Sequence, residues 1–111
     1  MAERTFTPTQ RMAAAARRGL RLREKFDRGG TEVGLARAKQ LAARDPVSVT
    51  DLKAMHSYFA RHAVDKEAAE KKGSGHKWNS DSDPSAGFIA WLLWGGDAGK
   101  TWAEAKMKTV K

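Results

Sequence analysis

The chain has 111 residues, 41% of them hydrophobic and 31% charged, a balance typical of one small domain, here 1–111, with a modest core. It contains no cysteine, which excludes a disulfide framework or a thiolate metal site, and its longest apolar run, 88–94, is far too short to span a bilayer. Its 21 Lys and Arg residues outnumber 13 Asp and Glu, and the formal charge of +8 indicates a polyanionic partner.

The first predicted helix begins near Thr7–Pro8, because threonine can cap a helix and proline is favoured in its first turn. Residues 1–7 are expected to fray. Apolar residues recur at three- and four-residue steps from Met12 to Phe26, which indicates an amphipathic helix with an arginine-rich exterior. Gly29–Gly30 predicts its end, since glycine readily adopts the left-handed conformation that stops a helix.

The second and third predicted helices are separated by a proline turn. Thr31 is placed to cap a helix that runs to about Ala43. Asp45–Pro46 then breaks the chain, since a residue before proline disfavours the helical conformation. Ser48 begins a third helix that is predicted to end at Asp65 or one turn beyond.

The segment 66–83 carries charges, glycines and serines, and is predicted to be a mobile loop. Asp83–Pro84 offers a cap and a first-turn proline for a short, centrally buried helix over Phe88–Trp94. Gly95–Gly96 should stop that helix, and Asp97 should cap a last one.

The sequence therefore predicts an all-α protein. About five short helices, joined by turns that glycine and proline mark, favour a compact orthogonal bundle. No alternating strand pattern of useful length and no internal repeat appears in the sequence.

Three segments, 19–38, 57–66 and 84–99, resemble a small helical module of tailed-bacteriophage proteins, in the same order. That module occurs alone or attached to head-assembly or prohead-protease-like proteins, and the likeness covers residues 19–103. The resemblance implies a phage origin and a virion, genome-packaging or DNA-associated setting. It implies no catalytic residues. The expected location is the host cytoplasm or the virion, because the chain lacks cysteine and its first residues lack the apolar stretch of a secretory signal.

Two patterns suggest enzyme chemistry, and both fail on spacing. The segment 95–101 resembles a phosphate-binding loop, but that motif needs glycine at the position of Trp94 and a preceding strand. His56 and His62 lie six residues apart, on nearly opposite faces of a helix, without the spacing of a metal site. The sequence thus predicts no enzyme, no cofactor and no metal.

The strongest functional pattern is the basic character of the N-terminal half. Residues 1–45 hold 11 basic and 5 acidic side chains, against 10 and 8 in 46–111. Phosphate backbones are bound by such sequence-independent charge, which indicates mainly non-specific binding of double-stranded DNA, with RNA left open. The alternative is a solvated helix exterior that aids solubility. The predicted nucleic-acid contacts are Arg17, Arg18, Arg21, Lys25, Arg28, Arg37, Lys39 and Lys100.

A second function belongs to another class: a virion-assembly or host-protein-binding module with no nucleic-acid role. Its docking surface would be Trp78, Phe88 and the charged loop, because tryptophans anchor many interfaces. Trp91 and Trp94 are expected in the core instead. The sequence leaves the phage or host partner, the sequence specificity and the oligomeric state open.

Overall fold

The computed structural model describes residues 4–72 and 78–110, and their side chains except those of 68–72. A side-chain hydroxyl caps the start of four of the five helices in this part of the chain. Helix α1 (Gln10–Phe26) is capped by Thr9, whose hydroxyl accepts a hydrogen bond from the Met12 amide at 3.2 Å. The helix thus begins two residues after Pro8, which the sequence predicts to lie in its first turn. It ends at Asp27, whose left-handed conformation (φ 51°) stops it before the glycines.

Residues 5 and 6 are paired rather than frayed. Strand β1 (Thr5–Phe6) lies antiparallel to β2 (Val47–Ser48), a pairing that the sequence did not predict. Phe6 is buried and its ring packs edge-on against Trp102, with 6.3 Å between the ring centroids. Burial of this ring explains why the segment is held in place.

Helix α2 spans Glu32–Ala42 and is capped by Thr31 as predicted. Helix α3 spans Val49–Lys72, and the Ser48 hydroxyl accepts the amide hydrogen bond of its first turn. The prediction of a loop from residue 66 is wrong for 66–72, where glutamate, alanine and lysine are all good helix formers. Part of the predicted loop, 73–77, lies outside the described residues.

Helix α4 spans Ala86–Leu93 and is capped by Ser85, whose hydroxyl accepts the Phe88 amide at 3.0 Å. The predicted cap, Asp83, bonds instead to the Arg28 guanidinium. Pro84 therefore lies before the helix and not in its first turn.

Helix α5 spans Gly96–Met107, so the two glycines start this helix as well as ending α4. Gly95 is the cap (φ 110°), and Gly96 also has a positive φ of 64°. Asp97, the predicted cap, lies in the first turn. Its carboxylate accepts the Trp91 indole N–H at 2.8 Å, which ties α5 to α4.

Within the described ranges, these five helices form the small all-α bundle that the sequence predicts. The apolar α4 lies at its centre, in contact with α1, α2, α3 and α5. A Cβ atom on Gly19 of α1 would lie 2.9 Å from Leu92 Cβ, so α1 and α4 approach closely because position 19 has no side chain. None of the helices described is long and apolar enough to cross a membrane.

Candidate nucleic-acid interface

One face of α1 carries a line of exposed cations. Arg17, Arg21 and Lys25 follow each other at four-residue steps and are all exposed, whereas the opposite face is buried. We call these three residues the cationic stripe. At 1.5 Å of rise per residue, the stripe extends about 12 Å along the helix axis.

The stripe keeps its charge in the folded protein. The Arg17 guanidinium donates to the carbonyl oxygen of Ala42, at 3.2 Å, which places it against the C-terminal end of α2. A neutral carbonyl does not cancel the cation, and four other N–H donors of the guanidinium remain. Glu24 is the one acidic residue of α1. Among the side chains that the structure describes, no carboxylate forms an ion pair with the stripe.

Lys39 is exposed on α2, three residues before Ala42, which Arg17 contacts. The structure thus brings one of the predicted α2 cations to the end of α2 that adjoins the stripe. A cation in the last turn of a helix is also favoured by the helix dipole. We count Lys39 with the stripe as a fourth exposed cation and call these four residues the four-cation surface.

Two further predicted contacts are paired with acidic residues from the segment before α4. Arg18 Nε lies 2.9 Å from Asp81 Oδ1, and Arg28 lies 3.2 Å from Asp83. The Arg18 guanidinium also lies over the Phe88 ring, 5.0 Å from its centroid. Both arginines therefore brace this segment against α1, and their charges are offset by carboxylates. We therefore do not count them among the cations outside ion pairs, and their predicted contacts with nucleic acid stay predictions.

Arg37 joins α2 to α3 instead of facing solvent. Its side chain is only 12% exposed, and two of its nitrogens contact the two carboxylate oxygens of Asp51 at 3.2 and 3.3 Å. A guanidinium nitrogen also donates to Gln40, and the guanidinium carbon lies 5.4 Å from the centre of the Trp94 ring. Because these partners enclose the guanidinium, we do not include Arg37 among the exposed cations of the candidate interface.

The same contacts alter the titration of Asp51. Burial would raise the pKa of this carboxyl, but the hydrogen bond and positive charge of Arg37, with hydrogen bonds from Gln40 and Ser48, together hold it below its ordinary value of 3.8. Asp51 is thus ionised near neutral pH, and its pairing with Arg37 is a charge-assisted bond.

Lys100 does not extend the four-cation surface. It lies on α5, where its ammonium group pairs with Glu104 at 3.0 Å, and it lines a small hollow with His56 and Phe59 of α3. The hollow places Lys100 between α3 and α5, whereas the stripe lies on α1. Lys100 therefore lies apart from the stripe, and a contact between Lys100 and nucleic acid stays a prediction.

The two predicted docking residues have different surroundings. Phe88 is 3% exposed, so it belongs to the core and cannot form a docking surface as predicted. Trp78 is half-buried and packs edge-on against Phe88 and Trp91, with ring centroids 5.3 and 5.6 Å apart. Only Trp78 is placed to meet a partner.

A stacked column of rings was not predicted. Tyr58 stacks on Trp94, with 4.5 Å between centroids and 6° between planes, and the tilted His62 ring lies 4.5 Å from Tyr58. The four-residue spacing of Tyr58 and His62 could have shown that they share a face of α3. Burial, and then the negative charge of Asp65, raises the pKa of the Tyr58 hydroxyl well above its ordinary value of 10.0.

No group of three or more His, Asp or Glu side chains that could hold a metal ion occurs in the described part of the chain. Comparison with protein-family models, curated proteins and solved structures found no match to this chain. The functional argument therefore depends on the geometry of the surface itself.

Proposed function

We propose that this protein is a phage-encoded, non-enzymatic accessory protein that binds the phosphate backbone of the genome, mainly double-stranded DNA, through the cationic stripe and Lys39. The observation that carries the proposal is the alignment of Arg17, Arg21 and Lys25 on one exposed face. None of the carboxylates described in the structure is paired with them. Fixed, unneutralised cations are what a phosphate backbone recognises.

The dimensions favour contacts along a phosphate backbone. Successive phosphates of one DNA strand advance by about 3.4 Å along the duplex axis, so about 12 Å of helix can meet three or four of them. Such contacts fix position and do not read sequence. The protein should therefore bind duplexes of different sequence with similar affinity.

The expected salt dependence of binding follows from the number of predicted cations that are not held in ion pairs within the protein. Four phosphate contacts give a slope of about −3.6 for log K against log salt, or a loss of about 150-fold in affinity between 50 and 200 mM salt. All eight cations predicted from the sequence would give about 20,000-fold over the same range. A titration distinguishes these values easily, so the pairing of Arg18, Arg28, Arg37 and Lys100 has a measurable consequence.

The test is fluorescence anisotropy of a labelled duplex with the wild type and two triple variants. One replaces every residue of the cationic stripe by glutamine. The matched control replaces Arg18, Arg28 and Lys100 by glutamine, and so removes the same formal charge from paired positions. We expect the stripe variant to lose most of the affinity and the control to lose much less. The proposal is wrong if the wild type binds no duplex or single strand at low salt.

The phage setting is part of the proposal and is supported by the resemblance of 19–38, 57–66 and 84–99 to a tailed-phage module. Purified phage particles provide a direct assay. A genome-associated protein should be released when the particles are opened and treated with nuclease. Retention on nuclease-treated shells would instead favour the alternative of a virion-assembly protein with no nucleic-acid role.

A further inference from the structure

A groove of about 310 Å³ opens between α3, α4 and the turn that joins α1 to α2. Four aromatic side chains form its walls: Tyr58, Trp78, Trp91 and Trp94. Gly87 and Asp65, both exposed, also line it. We call this the aromatic groove. It is separate from the cationic stripe, which contributes none of its lining residues.

Gly87, the second residue of α4, adds no side chain to the groove. The backbone does not require glycine here, because Gly87 is helical, and an added Cβ atom would come only to 3.8 Å from Trp78, an ordinary contact. The missing side chain therefore leaves room in the groove and serves no conformational need of the fold.

The charge of the groove is opposite to that of the protein. Among the lining residues that the structure describes there is no lysine or arginine, although the chain has 21. The one charged group in that lining is the Asp65 carboxylate, which is 57% exposed and lies 2.8 Å from His62 Nδ1. Two cations that are not part of the lining approach its rings: Lys66 Nζ lies 6.0 Å from the centroid of the Trp91 ring, and the Arg37 guanidinium carbon lies 5.4 Å from that of the Trp94 ring. The Asp65 carboxylate, in contrast, lines the groove itself.

The walls also define the shape of the occupant. The rings of Trp94 and His62 both lie against the Tyr58 ring, each 4.5 Å away between centroids, so little of this ring is left to contact an occupant. Indole and phenol edges make an apolar wall for an aliphatic stem. Long basic side chains bury such a stem while their charged head reaches a polar rim.

We infer that the aromatic groove is a docking site for a basic side chain, arginine or lysine, presented by a partner protein. The stem lies against Trp78 and Trp91, and the cationic head pairs with Asp65. This interaction is independent of backbone binding, since it uses a different face and the opposite charge.

The test is NMR titration of the ¹⁵N-labelled full chain with N-acetyl-arginine amide, followed at the tryptophan indole N–H signals. The matched probe is the citrulline analogue, which has nearly the same shape but no charge. We expect saturable shifts of the Trp78 and Trp91 signals, with binding about two- to fivefold tighter for arginine, as an exposed ion pair allows. Equal affinities for the two probes, or no saturable shift, would overturn the inference.

Two variants locate the site. Gly87→Leu fills the groove with a good helix former and should abolish the shifts, whereas Ala105→Leu, at an exposed position of α5, should leave them unchanged. Asp65→Asn alters an exposed side chain and should reduce arginine binding to the citrulline level. Arginine binding that survives both Gly87→Leu and Asp65→Asn would place the probe elsewhere and refute the proposal. Duplex binding, measured on the same variants, should not change.

Discussion

Replacement of Arg37 by methionine tests whether this residue holds α2 to α3 or binds phosphate. Methionine keeps an apolar stem against Trp94 but removes the bonds to Asp51 and Gln40. Hydrogen bonds to charged groups contribute about 1.5 to 3 kcal/mol each, and water can partly solvate Asp51, which is 35% exposed. We therefore expect a loss of about 2 kcal/mol in the free energy of unfolding.

For a chain of this size, that loss corresponds to a fall of about 8 °C in Tm, measured by circular dichroism. The effect should depend on pH in a defined direction. Because the pKa of Asp51 is lowered in the folded protein, its stabilising contribution is present above the ordinary value of 3.8 and is lost as the pH falls through the folded value. The difference in Tm between wild type and Arg37→Met should thus be constant near neutral pH and shrink below about pH 4.

Arg21→Gln is the matched control, since Arg21 is exposed and belongs to the cationic stripe. It should leave Tm nearly unchanged and weaken duplex binding, whereas Arg37→Met should lower Tm and leave binding by the folded protein intact. An Arg37 variant with unchanged Tm, or with a binding defect as large as that of Arg21→Gln, would refute this reasoning.

Three further predictions concern the fold. Gly19→Ala should lower stability by about 1 to 2 kcal/mol in thermal denaturation, because the new methyl group would lie 2.9 Å from Leu92 Cβ and 3.0 Å from the Leu93 amide nitrogen. This overpacking exceeds the gain in helix propensity, and an unchanged Tm would contradict the close packing. Asp27→Gly should raise stability by about 0.5 to 1 kcal/mol, since glycine adopts the left-handed conformation (φ 51°) without strain, and a lower Tm would contradict this. Tyr58 is the only tyrosine of the chain, so an ultraviolet titration of the folded protein should show no phenolate at pH 10.0, the ordinary pKa of tyrosine. The free energy of unfolding should fall as the pH rises above that value. A normal titration of the folded protein would show that the hydroxyl is not buried.

The sequence predicts the parts of the fold that depend on local chemistry. Thr31 and Ser48 were identified as helix starts because a hydroxyl that bonds the amide three residues later is a property of one short segment. The extension of α3 over 66–72 does not follow from the local pattern, because charged residues beside glycines are typical of a loop, although the residues of this segment are good helix formers. The pairing of Phe6 with Val47 was also missed, since its partner lies far along the chain.

The candidate interface also has one part that local spacing predicts and one part that depends on contacts between distant residues. Helical spacing alone places Arg17, Arg21 and Lys25 on one face, because side chains four residues apart in a helix are neighbours. The pairing of Arg18 with Asp81 joins residues 63 positions apart, and no local pattern indicates it. The spacing of the cations is therefore visible in the sequence, whereas the ion pairs that offset Arg18, Arg28, Arg37 and Lys100 appear only in the folded chain.

The most direct test of phosphate binding by the cationic stripe is the slope of log K against log salt for a short duplex. The wild type should give a slope of about −3.6, and Arg21→Gln should make it shallower by about one. An unchanged slope for Arg21→Gln, or a wild-type slope near zero, would contradict the account.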